Sequence, residues 1–177
     1  FSIVSYAAIE VVDGIEWNYE IIDNSAQITR TKISGDVEIP SRLGGAPVKI
    51  IGRGAFCNCK DLTSLTIPKG VIEIGEIAFA KCSGLKSITI PSTVTKIDKK
   101  AFADCVNLKG LILAESVTNI GHDAFSGCSA LSCVTIKNNS ITIENNAFDG
   151  CGNIVDVTLP GWKCGIPFDS VTNLVIN

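Results

Sequence analysis

Apolar positions recur along this chain in a frame of 23 residues. Phe56, Phe79, Phe102, Phe125 and Phe148 mark the frame, each directly preceded by an alanine. Cys59, Cys82, Cys105, Cys128 and Cys151 follow three positions after each phenylalanine. Ile51, Ile74, Ile97, Ile120 and Ile143 form a column upstream, and Leu62, Leu85, Leu108, Leu131 and Ile154 one downstream. An apolar pair two residues apart closes each copy, as in Leu65/Ile67, Ile88/Ile90, Leu111/Leu113, Val134/Ile136 and Val157/Leu159. Five copies in register, with no insertion, identify a solenoid: one coil cannot bury its own apolar face, so stacking makes the core.

Within one coil, Ser87-Ile88-Thr89-Ile90 alternates polar and apolar residues and predicts a short strand with one buried face. Proline ends it at Pro68, Pro91 and Pro160, where a missing N–H terminates the ladder. The next stretch, such as Val71-Ile72-Glu73-Ile74-Gly75, is extended and turns at the glycine. Ala-Phe-x-x-Cys, with apolar residues three apart, predicts a single helical or 3₁₀ turn. The expected fold is therefore an α/β repeat solenoid whose coils stack at roughly 4.8 Å.

The ends depart from the repeat. Val37-Glu38-Ile39-Pro40 reproduces the strand and its proline, but the loop from Ser41 to Pro47 carries five extra residues before Val48. Ile15 to Ile22, Asp23-Asn24-Ser25 and Ala26 to Thr31 predict a hairpin, which fits an N-terminal cap. Residues 1–13 read as an extra strand or a linker; the opening Phe1-Ser2-Ile3 is expected of a processed or trimmed product. Beyond Leu159-Pro160 the pattern fades, and Asn173-Leu174-Val175-Ile176 is expected to close a shortened coil. The predicted organisation is a strand and hairpin cap with a degenerate first coil over 1–47, five repeats over 48–162, and a capping coil over 163–177.

The unit Ile-Gly-x-x-Ala-Phe-x-x-Cys-x-x-Leu-x-x-Ile-x-Ile-Pro, clearest from Ile74 to Pro91, resembles the BspA-like, or Treponema-type, leucine-rich repeat. Gly35 to Pro40 followed by Gly45-Ala46-Pro47-Val48 is similar to that family's usual lead-in. The resemblance implies a curved solenoid with a parallel β-sheet on its concave face. It also implies a secreted or cell-surface protein of bacteria or some protozoan parasites, used in adhesion and in binding other proteins. Departures are Asp98 and Glu144 at the glycine position, and Ala114 and Lys137 at the proline position.

Composition changes this picture little. The chain has 177 residues, 46% hydrophobic, which excludes disorder, and a net charge of −3 with dispersed lysines, which gives no footprint for nucleic acid. No apolar run is long enough for a membrane-spanning helix. Eight cysteines first suggest disulfides or a metal, yet five share one inward column, where small buried hydrophobes suit the site. Metal is not expected, because Cys57-Asn58-Cys59 has no second pair nearby. Cys57, Cys133 and Cys164 lie outside the column. The single histidine, His122, shares a permissive slot with Arg53, Glu76, Lys99 and Asn145, on the coil's far side from Cys133. P-loop, G-x-S-x-G and dinucleotide fingerprints are missing, so neither an enzyme nor a cofactor is expected.

What remains is a surface. Thr66, Thr89, Ile112, Thr135 and Thr158 occupy one outward strand column, beside Lys86, Lys109, Gly110 and Cys133. β-Propensity alone accounts for exposed threonines on a parallel ladder. Ile112, flanked by Gly110 and Cys133, is the apolar exception and the best hot-spot candidate. The expected function is a non-enzymatic protein-binding or adhesion module whose partner is another protein, a host extracellular or cell-surface protein being one candidate. A structural spacer within a larger surface protein is the alternative.

Overall fold

The computed structural model describes residues 7–151, 154, 156–159 and 162–164. At its N-terminal end, Ala7–Val12, Ile15–Ile22 and Ser25–Ile28 form an antiparallel meander. Both of its turns place two consecutive residues at positive φ, Asp13-Gly14 (52° and 78°) and Asp23-Asn24 (47° and 59°). That is the twist-matched two-residue hairpin geometry, which aspartate, asparagine and glycine tolerate best. Ser25–Ile28 then pairs in parallel with Ala46–Ile51, so the meander continues directly into the repeats.

Each coil contributes to two parallel ladders on opposite sides of one core. On the back, Ala46–Ile51, Glu73–Ile74, Lys96–Ile97, Asn119–Ile120 and Thr142–Ile143 pair in sequence. On the front, Gly35–Glu38, Leu62–Thr66 and Ser87–Thr89 form one sheet. Gly110–Leu113, Cys133–Ile136 and Asp156–Leu159 form another, which ends in an antiparallel pairing with Trp162–Cys164. The architecture is a β-solenoid of about five turns with a parallel front sheet, broken once between Ser87–Thr89 and Gly110–Leu113. The expected closing strand at 173–176 lies outside the described residues.

The repeat columns fill the core. Phe56, Phe79, Phe102 and Phe125 are fully buried and Phe148 nearly so. Their rings stack with centroids 5.1, 5.0, 5.1 and 5.3 Å apart along the axis. Trp17 of the meander meets Phe56 edge-on at 6.1 Å and so covers the first ring of the stack.

One expectation needs correction: among the described residues there is no helix, so the α/β label and the helical turn both fail. The Ala-Phe segment is a chain of turns whose donors alternate in direction. The N–H groups of Ala55, Cys57 and Cys59 donate to carbonyls three residues back, at 3.1–3.2 Å. Between them, Gly54, Phe56 and Asn58 donate to Glu76, Ala78 and Ala80 of the next coil, at 2.8–2.9 Å. Gly54, Ile77, Lys100, Asp123 and Asn146, two residues before each phenylalanine, have φ between 52° and 64°. Asn58, Lys81, Asp104, Gly127 and Gly150, two residues after it, are also left-handed. A helix keeps one hand and bonds internally at every residue. This backbone reverses hand twice and sends every second N–H outward to hold the next coil.

Candidate interaction face

From Ser64 onward the front strands alternate inward and outward side chains. Leu65, Leu111, Leu113, Val134 and Ile136 point inward and are at most 2% exposed. Thr66, Lys86, Thr89, Lys109, Gly110 and Cys133 are exposed, and Thr135 is half-buried. Ile112 is 61% exposed, a large apolar side chain standing on the sheet surface. Register aligns Gly110 with Cys133, Ile112 with Thr135, and Thr66 with Thr89. Thr158 is the register partner of Thr135 on the neighbouring strand, and its side chain is outside the described residues.

Seven of the predicted face residues, Lys86, Thr89, Lys109, Gly110, Ile112, Cys133 and Thr135, line one open hollow of about 650 Å³. Thr66 lies one coil away and does not line it. The sequence reading omitted Ser92, Ala114 and Lys137, which also line the hollow. Their signal was the interrupted proline column, where Ala114 and Lys137 stand. It also omitted Asp36 and Glu38, which extend the outward columns through pairing with Ser64 and Thr66. Asp36 Oδ1 accepts hydrogen bonds from Thr63 Oγ1 at 2.6 Å and Ser64 Oγ at 2.7 Å. Those two hydroxyls, Thr63 first, hold the Asp36 carboxyl below its usual range, and the Lys86 charge adds to the effect.

The hollow forms where the front ladder lapses. At the two preceding junctions the residue just after the strand donates to the next coil: Ile39 N–H to Thr66 O at 3.0 Å and Ile67 N–H to Thr89 O at 3.3 Å. The corresponding bond from Ile90 N–H to Ile112 O is absent. Lys137 N–H reaches Leu113 O at 3.0 Å, yet Ala114 N–H makes no such bond to Ile90 O. The two strands stay joined at their start, where Lys109 N–H donates to Lys86 O at 3.3 Å. Ile88 and Ile90 consequently remain only half-buried and form part of the hollow's floor, unlike Leu65 and Ile67 one coil earlier.

The cysteine column is buried and reduced: Cys82, Cys105 and Cys128 are fully buried, and Cys59 and Cys151 nearly so. Each thiol donates to a backbone carbonyl of the preceding coil. Cys82, Cys105, Cys128 and Cys151 reach the carbonyls of Phe56, Phe79, Phe102 and Phe125 at 3.1–3.3 Å. Burial pushes the Cys82 thiol up and the Cys105 thiol up to about 12. Cys128 is raised as well, by the neighbouring Cys151 thiol and by burial. These thiols are poor nucleophiles, because the thiolate is the reactive form.

Cys57 is half-buried and Cys133 exposed; the Cys164 side chain is outside the described residues. His122 faces Asp123, with Nδ1 2.8 Å from Oδ2, and follows the back strand Asn119–Ile120 rather than the front sheet that carries Cys133. At the glycine position, Asp98 accepts the Lys99 N–H at 2.7 Å and Glu144 the His122 N–H at 3.1 Å. Both carboxylates there serve backbone donors. Among the described residues, no three His, Cys, Asp or Glu side chains converge in a group that would hold a metal ion.

Comparison with known proteins gives a consistent result. A family model for the BspA type leucine rich repeat region matches residues 49–166 in six copies. A solved leucine-rich-repeat protein of Treponema pallidum is 32% identical over 84% of this chain and 70% of its own, with a TM-score of 0.78. One from Bacteroides capillosus is 28% identical over 71% of this chain and 96% of its own, with a TM-score of 0.58. A leucine rich cell surface protein of Faecalibacterium prausnitzii is 26% identical over 90% of this chain and 55% of its own, also with a TM-score of 0.58. No curated protein matches.

Proposed function

The chain belongs to the BspA-type leucine-rich-repeat family, and from that membership we propose a non-enzymatic protein-binding or adhesion module of a secreted or cell-surface protein. The observation that carries this reading is Ile112, 61% exposed in a hollow of the front sheet. Small neighbours, Gly110 and Cys133, leave room for a partner to approach it. Desolvating such an apolar anchor inside a polar rim is how interface hot spots work. The cell-surface name of the Faecalibacterium relative supports the location, and the raised thiols of Cys82, Cys105 and Cys128 give no support to covalent chemistry.

A panel of extracellular matrix and cell-surface proteins, tested against the whole chain by surface plasmon resonance, examines this directly. We expect at least one partner, with affinity falling about ten-fold or more in Ile112→Asp at unchanged stability. Affinity unaffected by that substitution moves the interface off the front sheet. Binding to no panel member leaves the structural spacer as the better reading.

A further inference from the structure

Resting on the protein-binding reading above, we propose that the broken seam of the front sheet receives an extended, acidic segment of the partner polypeptide. One bulky apolar side chain of that segment sits against Ile88, Ile90 and Ile112, and its carboxylates meet Lys86, Lys109 and Lys137. Three independent features converge there.

The first is the backbone. Ile90 N–H, Ala114 N–H and the Ile90 carbonyl lack the inter-coil bonds that other coils make, and both residues line the hollow. An extended peptide offers donors and acceptors in the same alternation, which is how strand edges recruit partners. The second is the floor, where the half-buried Ile88 and Ile90 adjoin the exposed Ile112. A hollow of about 650 Å³ is in the range that accepts a large side chain with its flanking backbone.

Charge is the third feature. The protein carries a net charge of −3, yet among the described residues the hollow is lined by Lys86, Lys109 and Lys137 and by no carboxylate. Elsewhere Arg53, Lys96 and Lys100 lie in salt bridges with nearby carboxylates, whereas among the described residues none of these three lysines does, Lys86 acting on Asp36 only at longer range. Glu115 follows Ala114 on the turn and is exposed without lining the hollow. Three cations without salt bridges around an apolar floor favour a ligand that is apolar at its centre and anionic at its edges.

Fluorescence polarisation with labelled seven-residue peptides tests this on the whole chain. The probe alternates glutamate with isoleucine around a central phenylalanine; one control replaces glutamate by lysine, the other replaces every apolar residue by serine. We expect the acidic apolar probe to bind, each control to bind about ten-fold more weakly or not at all, and salt to weaken binding. The variant K86E/K109E/K137E, checked for native circular dichroism, is expected to lose about ten-fold in affinity. Should the triple variant misfold, Lys109→Glu alone is expected to lose about three-fold. Equal binding of the lysine control, or full affinity in a folded charge-reversed variant, overturns the proposal. So does tighter binding of dodecanoate or of a single-stranded oligonucleotide, competed by the probe. If no peptide binds while a panel protein still depends on Ile112, the partner chemistry proposed here is wrong and the interaction reading survives.

Discussion

The coils that carry Phe79 and Phe102 are held together very differently on their two sides. On the turn side, Phe79 N–H donates to Ala101 O at 2.7 Å, the rings stack at 5.0 Å, and Cys105 Sγ reaches Phe79 O at 3.2 Å. On the back, Glu73–Ile74 and Lys96–Ile97 remain paired, and Lys96 bridges Glu73 and Asp98. On the front, Lys109 N–H donates to Lys86 O and Asn107 Nδ2 to Ser83 O, and the ladder lapses beyond them. A solenoid held by two strand ladders and a turn column tolerates the loss of part of one. The coil-to-coil cohesion therefore resides in the turn column and the back, which leaves the front free to carry a binding surface.

This contrast is open to being broken by substitution. Phe102→Ala, inside the closed side, is expected to cost about 3–5 kcal/mol in urea unfolding. Ile88→Ala, at the seam, is expected to cost about 1–2 kcal/mol, because a half-exposed side chain has less transfer energy to lose. Equal costs would mean that both sides hold the coils alike.

Alkaline pH loads the closed side selectively. Cys82 and Cys105 keep their protons in the folded chain well above the ordinary thiol range, Cys105 up to about 12. Between roughly pH 9 and 12 the unfolded chain has lost these protons and the folded chain retains them. Stability is then full below pH 9 and falls as pH rises, by about 1.4 kcal/mol per unit for each such thiol. Urea midpoints measured from pH 8 to 11 check this; a flat profile would put the thiols in contact with solvent.

Smaller effects sharpen the same contrast. Cys105→Ala is expected to cost about 1–2 kcal/mol through the lost S–H donor and the small void, and to flatten the alkaline decline. Ile77→Asn should raise stability by up to about 1 kcal/mol, since Ile77 is a β-branched residue held at φ 52° where asparagine is better tolerated. A loss instead would show that the packing of the half-buried Ile77 side chain outweighs the backbone strain.

The repeat, its buried columns and the outward threonine column were legible because side-chain alternation in strands leaves a period-two signature, and stacking repeats it every 23 residues. The turn was misread for an equally physical reason. Ala-Phe-x-x-Cys spaces its apolar residues as a helix does, and the left-handed residues that break the helix include Ile77, Lys81 and Lys100, which carry no turn signal. Their column mates Gly54, Asn58, Asp104, Asp123, Gly127, Asn146 and Gly150 do carry it, when read down the repeat rather than along the chain. The seam had almost no sequence signature. Ile88 and Ile90 match their columns perfectly, and only Gly110, Ile112 and Ala114 on the facing strand depart from theirs.

Native-state hydrogen exchange, resolved by residue, tests the unequal cohesion most directly. Phe79 and Phe102 amides are expected to exchange only through global unfolding, while Ile90 and Ala114 amides exchange orders of magnitude faster through the open seam. Protection of Ile90 and Ala114 equal to that of Phe102 would contradict it, because the front ladder would then be closed.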